Sequence, residues 1–230
     1  MLKLAIMISG RGSNMEAVAR ACRVRSIPAS VAVVVSDRAD AGGLAVAREL
    51  GIETAVLERK AFPDRAAFEH ALVEQIEAHG AEIIVLAGFM RVLSPELASR
   101  YEGRLINIHP ALLPKHRGLH THARVLEAGD REHGASVHFA TAELDGGPVV
   151  LQSRIAVRPG ENESELAARV LKTEHVILPR VIGWLAEGRL TWREGRVFLD
   201  GKALEAPVVE DFDAAAKEPS VAGRLGGVPK

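Results

Sequence analysis

Short aliphatic segments alternate with helical segments along the first half of the chain. The aliphatic segments lack a clean polar–apolar alternation, as expected of strands covered on both faces, and they span residues 2–8, 31–35, 52–57, 82–87 and 104–108. Between them, apolar residues recur at the spacing of one helical face, and Ser94-Pro95 is typical of an N-cap followed by proline. The repetition predicts an α/β fold with a doubly wound, mostly parallel open sheet. Ligands of such sheets bind beyond the carboxyl ends of the strands.

From about residue 134 the pattern changes. Residues 135–140 and 149–155 show the partial alternation of antiparallel strands, which we expect to extend the same sheet. A helix is predicted over roughly 164–187, and residues 190–199 are typical of a hairpin. The C-terminal half therefore adds antiparallel strands to the parallel core.

The chain shows no linker between its halves. We therefore predict one domain over residues 1–205. Residues 206–230 mix alanine, proline, glycine and charged residues without periodicity, so a disordered C-terminal tail is predicted there.

Charge and cysteine content limit the ligands and the cellular compartment that we expect for this protein. With 29 lysine and arginine residues against 30 aspartate and glutamate residues, the formal net charge is −1, which lacks the basic field of a nucleic-acid binder. Cys22 is the single cysteine, so no intrachain disulfide can form and a reducing compartment is the simplest setting. No apolar run approaches the ~20 residues of a membrane span. We expect a soluble, cytoplasmic protein that binds neither nucleic acid nor membrane.

The loop Ser9-Gly10-Arg11-Gly12-Ser13-Asn14 joins the first strand to the first helix. Two glycines let its backbone approach a ligand, and the helix N-terminus beyond offers free N–H groups and a positive dipole end, which favours a phosphate site. The alternative is a tight turn with a capping box over Ser13-Asn14-Met15-Glu16. Met15 stands where a dinucleotide fingerprint would have its third glycine, which argues against that class of site. Because Asp37 follows the second strand, where a ribose-binding acid could lie, a nicotinamide enzyme is a minor alternative.

The segment Asn107-Ile108-His109-Pro110 ends the fifth predicted strand. Asn107 and His109 lie two positions apart on an extended chain, so their side chains point the same way, on the predicted ligand-binding rim. Downstream, Asp145 begins the turn sequence Asp145-Gly146-Gly147-Pro148. It is either a turn residue or the acid that orients the imidazole and favours its charged form.

A histidine-rich segment spans residues 116–122. His120 and His122 could bind a metal with His109, but no suitably spaced carboxylate or thiolate completes the ligand set. We favour the alternative of an exposed, mobile loop, and we expect no metal site.

Four segments occur together in an order that carries a resemblance: Ser9–Asn14, Leu86–Ser94, Asn107–Pro114 and Gly134–Pro148. Over roughly residues 2–205 the chain resembles the phosphoribosylglycinamide formyltransferases of purine biosynthesis, which belong to the 10-formyltetrahydrofolate-using enzymes and have a Rossmann-like fold. The Asn-x-His with a later Asp is shared by that whole superfamily, whereas the Ser-Gly-x-Gly-Ser-Asn loop resembles this branch. The resemblance implies transfer of the formyl group of 10-formyltetrahydrofolate to the glycinamide amine of 5'-phosphoribosylglycinamide, without a metal.

The resemblance also implies roles for individual residues. The catalytic groups are Asn107, His109 and Asp145. The phosphate and ribose of the ribonucleotide are bound by Gly12, Ser13, Asn14 and Glu174. The folate is bound by Arg65, Met90, Arg91, Val92, Leu93, Thr141, Ala142, Glu143 and Leu144. The expected partners are these two small molecules, and the expected state is a monomer or homodimer.

Two positions depart from the family's pattern. The chain reads Lys115-His116-Arg117-Gly118 where relatives commonly have an aromatic residue and a proline, and Ala142 replaces a commonly acidic residue. These departures concern loop order and folate affinity rather than the reaction. A formyltetrahydrofolate hydrolase with the same three groups remains an alternative. A methionyl-tRNA formyltransferase should add a basic RNA-binding domain, which the net charge of −1 does not indicate.

Overall fold

The aliphatic segments of the first half form parallel strands. The structure, a computed structural model, describes residues 1–213. The first five strands are β1 (Leu2–Ile8), β2 (Ala29–Ser36), β3 (Thr54–Val56), β4 (Ile83–Leu86) and β5 (Leu105–His109). They lie in the order β5-β4-β1-β2-β3, and each adjacent pair is parallel. The predicted doubly wound sheet is confirmed.

Antiparallel strands extend this sheet beyond β5. As predicted, β6 (Glu132–Phe139) pairs antiparallel with β5, and β7 (Val149–Ala156) pairs antiparallel with β6. The edge strand is β11 (Val208–Asp211), which runs parallel to β7. The predicted disorder is therefore wrong for residues 206–213, because pairing with the edge of β7 supplies order that the local sequence does not reveal. The rest of the predicted tail, residues 214–230, lies outside the described residues.

Helices cover both faces of the sheet. They are α1 (Ser13–Arg23), α2 (Gly42–Glu49), α3 (Arg65–Ala78), α4 (Pro95–Arg100), α5 (Thr121–Glu127) and α6 (Glu163–Ala186), with a short 3₁₀ helix over Arg59–Ala61. The predicted cap of α4 is confirmed, because Ser94 Oγ accepts a hydrogen bond from Leu97 N at 3.1 Å. No helix within residues 1–213 combines the length and the apolar character that crossing a membrane requires.

The alternation of side chains along β1 explains the two layers. Leu4, Ile6 and Ile8 point to one face and pack in a core with apolar residues of α1, α2 and α6. Ala5 and Met7 point to the other face, against α3 and α4. Because both faces are buried over residues 4–8, this part of the strand is a continuous apolar run.

A small second sheet follows α6. Its strands are β8 (Leu190–Arg193), β9 (Arg196–Leu199) and β10 (Lys202–Ala203), paired antiparallel. The first two strands confirm the predicted hairpin. The hairpin packs on the main sheet through Trp192, whose ring centroid lies 5.0 Å from that of Phe139.

The order of the strands locates the ligand site. From β1 the chain proceeds outward to β2 and β3, and it then returns to β4 on the opposite side of β1. The connections that leave β1 and β4 therefore run in opposite directions along the sheet. Their divergence leaves a crevice at the carboxyl ends of these two strands.

Candidate active site

A cleft of roughly 850 Å³ opens at the carboxyl ends of β4 and β5. Most of the residues that sequence analysis assigned to a site line it, namely Asn14, Met90, Arg91, Val92, Leu93, Asn107, His109, Thr141, Ala142, Glu143, Leu144, Asp145 and Glu174. Gly12, Ser13 and Arg65 are not part of this lining within the described chain. Gly12 and Ser13 directly precede Asn14, and Arg65 contacts the outer end of the segment that contains Val92.

His109 ends β5, and each of its ring nitrogens faces an acceptor. Nδ1 lies 3.4 Å from Asp145 Oδ2, and Nε2 donates to the backbone carbonyl of His116 at 3.0 Å. The side chains of His109 and Asp145 are both only 7% exposed. A ring with a proton on each nitrogen satisfies both acceptors, and such a ring is a general acid.

Asp145 is both a turn residue and a partner of the imidazole. Its backbone has a φ of 49°, in the left-handed region that aspartate tolerates better than most residues. Oδ2 accepts a hydrogen bond from Gly118 N at 2.8 Å, and Oδ1 lies 3.5 Å from Asn107 Nδ2. Asp145 therefore lies in a turn and also beside the imidazole, and its role toward that ring stays a prediction.

Asn107 is held by a histidine that sequence analysis did not assign to the site. Its Nδ2 donates to His138 Nε2 at 3.0 Å, and His138 Nδ1 donates to the carbonyl of Phe139 at 2.9 Å. Burial lowers the pKa of His138, which keeps the ring neutral and Nε2 an acceptor. The register of β5 and β6 places Asn107 opposite His138, and a single sequence contains no signal of that register.

The predicted phosphate loop precedes α1. The helix begins at Ser13, its N-cap is Gly12 with a φ of 74°, and no side chain within residues 1–213 caps it. The alternative of a capping box is therefore not formed, and the N–H groups of the first turn suit an anion. Gly12 also has a packing role, because a Cβ there would lie 2.7 Å from the Cα of Gly43.

The two predicted ribonucleotide ligands Asn14 and Glu174 contact each other. Asn14 Nδ2 donates to Glu174 Oε2 at 2.6 Å, across the packed helices α1 and α6. Burial raises the pKa of the Glu174 carboxyl, and the bond from Asn14 opposes this in part. Within the described residues, the buried Oδ1 of Asn14 has no hydrogen-bond partner. This amide oxygen can accept a hydrogen bond from a ligand hydroxyl.

The predicted folate segment lies on the apolar side of the cleft. Met90 and Val92 are 65% and 61% exposed there, as expected of apolar side chains that contact a ligand. The backbone of the segment is fixed at both ends. Met90 N donates to Ser9 Oγ at 2.9 Å, and Arg65 Nη2 donates to the carbonyl of Val92 at 2.8 Å.

Asp37 does not serve as a ribose ligand in this fold. Its carboxylate is 3% exposed and is bound by Arg91 Nε at 2.7 Å. Among the described residues Asp37 does not line the cleft. The nicotinamide alternative therefore loses the acid on which it depended.

The histidine-rich loop is anchored at its start. His116 Nε2 donates to Asp130 Oδ2 at 2.7 Å, so the expectation of a freely exposed loop is wrong at His116. His122 lies 2.9 Å from a different histidine, His133, through Nδ1 and Nε2. Within residues 1–213 no group of three or more histidine, cysteine, aspartate and glutamate side chains could hold a metal ion.

Comparison with known proteins decides the family. The formyl transferase family matches residues 2–182. The chain is 50% identical over 203 residues to the phosphoribosylglycinamide formyltransferase of Escherichia coli (strain K12), covering 88% of this chain and 96% of the relative. The chain belongs to the phosphoribosylglycinamide formyltransferase family. The predicted resemblance is confirmed, and the protein is a formyltransferase of purine biosynthesis.

Further relatives agree. The phosphoribosylglycinamide formyltransferase of Haemophilus influenzae is 43% identical over 204 residues, which cover 89% of this chain and 96% of the relative. The structure of the Coxiella burnetii formyltransferase in complex with CHES has a TM-score of 0.87 at 43% identity, covering 90% of this chain and 98% of that one. Glycinamide ribonucleotide transformylase 1 from Symbiobacterium toebii has a TM-score of 0.83 at 41% identity, covering 86% and 94%.

The residues that depart from the formyltransferase pattern have partners in this chain. Arg117 pairs with Glu143 across the edge of the cleft, so the loop after β5 contacts the loop before β7. His116 pairs with Asp130. The loop after β5 is therefore connected to the loop before β7 through Arg117 and to the segment before β6 through His116, in spite of the unusual sequence.

Proposed function

We propose that this formyltransferase moves the formyl group of 10-formyltetrahydrofolate to the glycinamide amine of 5'-phosphoribosylglycinamide in the cleft, with Asn107, His109 and Asp145 acting on the reacting groups. The products are the formylated ribonucleotide and tetrahydrofolate. The observation that carries the proposal is the convergence of these three side chains, since Asp145 lies 3.4 Å from the His109 ring and 3.5 Å from Asn107.

The ribonucleotide is proposed to bind at the β1 side of the cleft. The N–H groups at Gly12, Ser13 and Asn14 suit its phosphate, because they lie at the positive end of the α1 dipole. Glu174 suits the ribose, because its carboxyl accepts or donates hydrogen bonds according to its protonation state.

The folate is proposed to bind along the apolar side. Met90 to Leu93 and residues 141–144 line the same cleft, and we assign both segments to the pterin. Arg65 is placed near the carboxylate end of the folate, where its guanidinium already contacts the backbone of Val92.

The reaction requires donors aimed at the formyl oxygen. The glycinamide nitrogen attacks the formyl carbon, and the carbonyl oxygen becomes an oxyanion until the bond to the folate nitrogen breaks. Asn107 Nδ2 has one short bond, to His138, and a longer one of 3.5 Å to Asp145, so the second N–H is available for the oxyanion. Loss of one such donor typically costs ~2.7–4 kcal/mol in the barrier.

Two protons must also be moved. The attacking amine loses one, and the departing folate nitrogen gains one. His109 and Asp145 can pass these protons between the two nitrogens through an ordered water. General acid–base catalysis of this kind typically raises the reaction rate by ~10²–10⁴-fold. The step requires neither a metal nor a nucleoside triphosphate. All the groups assigned to the site belong to one chain, so a monomer or a homodimer is sufficient.

The test is a spectrophotometric assay of folate deformylation with and without glycinamide ribonucleotide. We expect deformylation only with the ribonucleotide, and formate release without it would instead show a hydrolase. His109→Ala and Asp145→Ala should each lower formyl transfer by at least ~10²-fold with an unchanged circular dichroism spectrum. Near-wild-type turnover in either variant would remove that residue from the mechanism.

A further inference from the structure

We propose that Asp130 is a positioning residue for formyl transfer, acting through His116 on the ring of His109. The inference rests on the proposed role of His109 in proton transfer. It starts from the hydrogen bond between His109 Nε2 and the backbone carbonyl of His116, which is 3.0 Å long. The chain of contacts then continues from the side chain of His116 to Asp130.

The first step concerns which ring nitrogen meets the substrates. Asp145, next to Nδ1, lines the cleft, whereas His116, next to Nε2, is not part of the lining among the described residues. The Nδ1 edge of the ring therefore faces the chemistry and the Nε2 edge faces the wall. Both nitrogens face acceptors, but the contact of Nε2 with the His116 carbonyl is 3.0 Å long and that of Nδ1 with Asp145 is 3.4 Å. The shorter bond keeps the proton on Nε2 and leaves Nδ1 as the nitrogen that gains and loses a proton.

The second step concerns why the carbonyl of His116 points at this ring. His116 has a φ of 53°, in the left-handed region that disfavours residues with a Cβ. An unrestrained residue at this position would leave that region, and its carbonyl would leave His109. The tautomer of the catalytic ring thus depends on an unfavourable backbone conformation that some other group must hold.

The third step identifies that group. His116 Nε2 donates to Asp130 Oδ2 at 2.7 Å, and Lys115 Nζ donates to Asp130 Oδ1 at 3.0 Å. The contacts with His116 and Lys115 hold the pKa of the Asp130 carboxyl below its usual range, so the anchor stays charged. Asp130 is itself fixed, because its backbone N donates to the carbonyl of Val125 at the end of α5.

Asp130 does not act on the substrates directly. It lies outside the lining of the cleft within residues 1–213, behind His116. Any effect of Asp130 on the reaction must therefore pass through the orientation and protonation of His109. Loss of Asp130 should therefore change kcat and the tautomer of His109, whereas loss of an ion pair that only stabilises the fold should change neither.

The kinetic test compares three variants of the full chain. Asp130→Ala should lower kcat about 10-fold, the lower end of the usual effect of residues that orient a catalytic ligand, with little change in the KM of either substrate. Asp130→Asn should recover most of this loss, because its amide oxygen still accepts the proton of His116 Nε2. Lys115→Met is the matched control, since it removes the exposed partner of Asp130 and leaves His116 in place.

The spectroscopic test measures the ring nitrogens of His109 by ¹⁵N NMR. The wild-type neutral ring should be a single tautomer with its proton on Nε2, and Asp130→Ala should yield a mixture of tautomers.

Should Asp130→Ala fail to fold, the pair His116→Asn and His116→Val replaces it. Asparagine tolerates the left-handed backbone and valine does not, so His116→Val should lose more kcat than His116→Asn.

Two results would overturn the proposal: a wild-type kcat with a single tautomer in Asp130→Ala, or a wild-type kcat in His116→Val, which removes both the contact with Asp130 and the tolerance of the left-handed backbone. Failure of the proposed function is distinguishable. If His109→Ala remains active, the role of His109 is wrong. If His109→Ala is inactive while Asp130→Ala is normal, only the positioning role is wrong.

Discussion

Asn107 uses its two amide N–H groups unequally. One donates to His138 at 3.0 Å, and the other faces Asp145 at 3.5 Å, the outer limit of a hydrogen bond. The short bond fixes the plane of the carboxamide, and the long one can be exchanged for a bond to the formyl oxygen at little cost. On the proposed mechanism, His138, which lies opposite Asn107 on the neighbouring strand, therefore determines which amide proton is free for the substrate.

Glu174→Gln tests the buried carboxyl. Because burial raises the pKa of Glu174, the folded protein binds this proton more tightly than the unfolded chain does. The free energy of unfolding should therefore fall as pH rises from the unfolded value of ~4.3 toward the raised folded value. Glutamine keeps an acceptor for Asn14 but carries no charge. The variant should have a higher Tm at pH 7, a flatter pH dependence of Tm, and a higher KM for the ribonucleotide.

The control for this experiment is Glu49→Gln, which changes an exposed carboxylate on α2. Thermal unfolding from pH 4 to pH 8 gives the required curves. If the curve of Glu174→Gln runs parallel to that of the wild type, the burial of Glu174 does not affect stability in the way argued.

Motif residues and supporting residues differ in how far the sequence reveals them. Asn107, His109 and Asp145 could be named because their types and order carry chemistry in a single sequence. His138 and Asp130 could not, because their roles depend on strand register and on one left-handed residue, His116. Such contacts are set by tertiary structure rather than by local pattern.

At the scale of elements, burial explains both the successes and the error of prediction. The strands β1, β2, β4 and β5 could be predicted because most of their side chains are buried on both faces, which leaves aliphatic runs. Strand β11 could not, because Val208–Asp211 lies at an edge and alternates between half-buried and exposed side chains. Its order comes from backbone pairing with β7, which is independent of side-chain pattern.

Gly12→Ala tests the junction between the phosphate loop and α2. The added Cβ would lie 2.7 Å from the Cα of Gly43, and the φ of 74° would be strained as well. We expect the free energy of unfolding to fall by about 1–3 kcal/mol, as at other overpacked sites. We also expect the KM for the ribonucleotide to rise more, relative to the wild type, than the KM for the folate. Chemical denaturation and steady-state kinetics measure the two effects.

Gly10→Ala is the matched control in the same loop. A Cβ at Gly10 would meet nothing within 4 Å in the described structure. It should leave both KM values and stability nearly unchanged. Equal effects of Gly12→Ala on the two substrates would argue against a phosphate site in this loop.

At the scale of the whole molecule, the site combines the two kinds of sheet. Asn107 and His109 come from the last parallel strand, and Asp145 comes from the loop between the antiparallel strands β6 and β7. Glu174 is supplied by α6, which packs against α1. The antiparallel extension therefore supplies part of the proposed site as well as part of the core.

Truncation after Ala206 tests the edge of the sheet. It removes β11 and exposes the edge of β7. In the intact chain Arg154 of β7 donates from its side chain to Asp211, and its backbone carbonyl accepts a hydrogen bond from Phe212 N. We expect a lower Tm and self-association in light scattering, because an unpaired edge strand recruits other chains. Turnover per folded molecule should be unchanged, since the cleft lies at β4 and β5.

The reference for this comparison is the chain truncated after Asp213, which keeps β11. An identical Tm for the two truncated chains would show that β11 contributes nothing to stability. A lower kcat in the shorter chain alone would show that the edge communicates with the cleft.

The division of the site between distant segments affects the protein during its synthesis. When His109 has left the ribosome, the predicted phosphate loop and two of the three proposed catalytic groups are already outside, whereas Asp145 and Glu174 are still to come. Neither half of the nascent chain holds all the groups. On the proposed mechanism, formyl transfer therefore begins only after α6 has emerged and docked on α1, and a partly translated chain does not consume formyl folate.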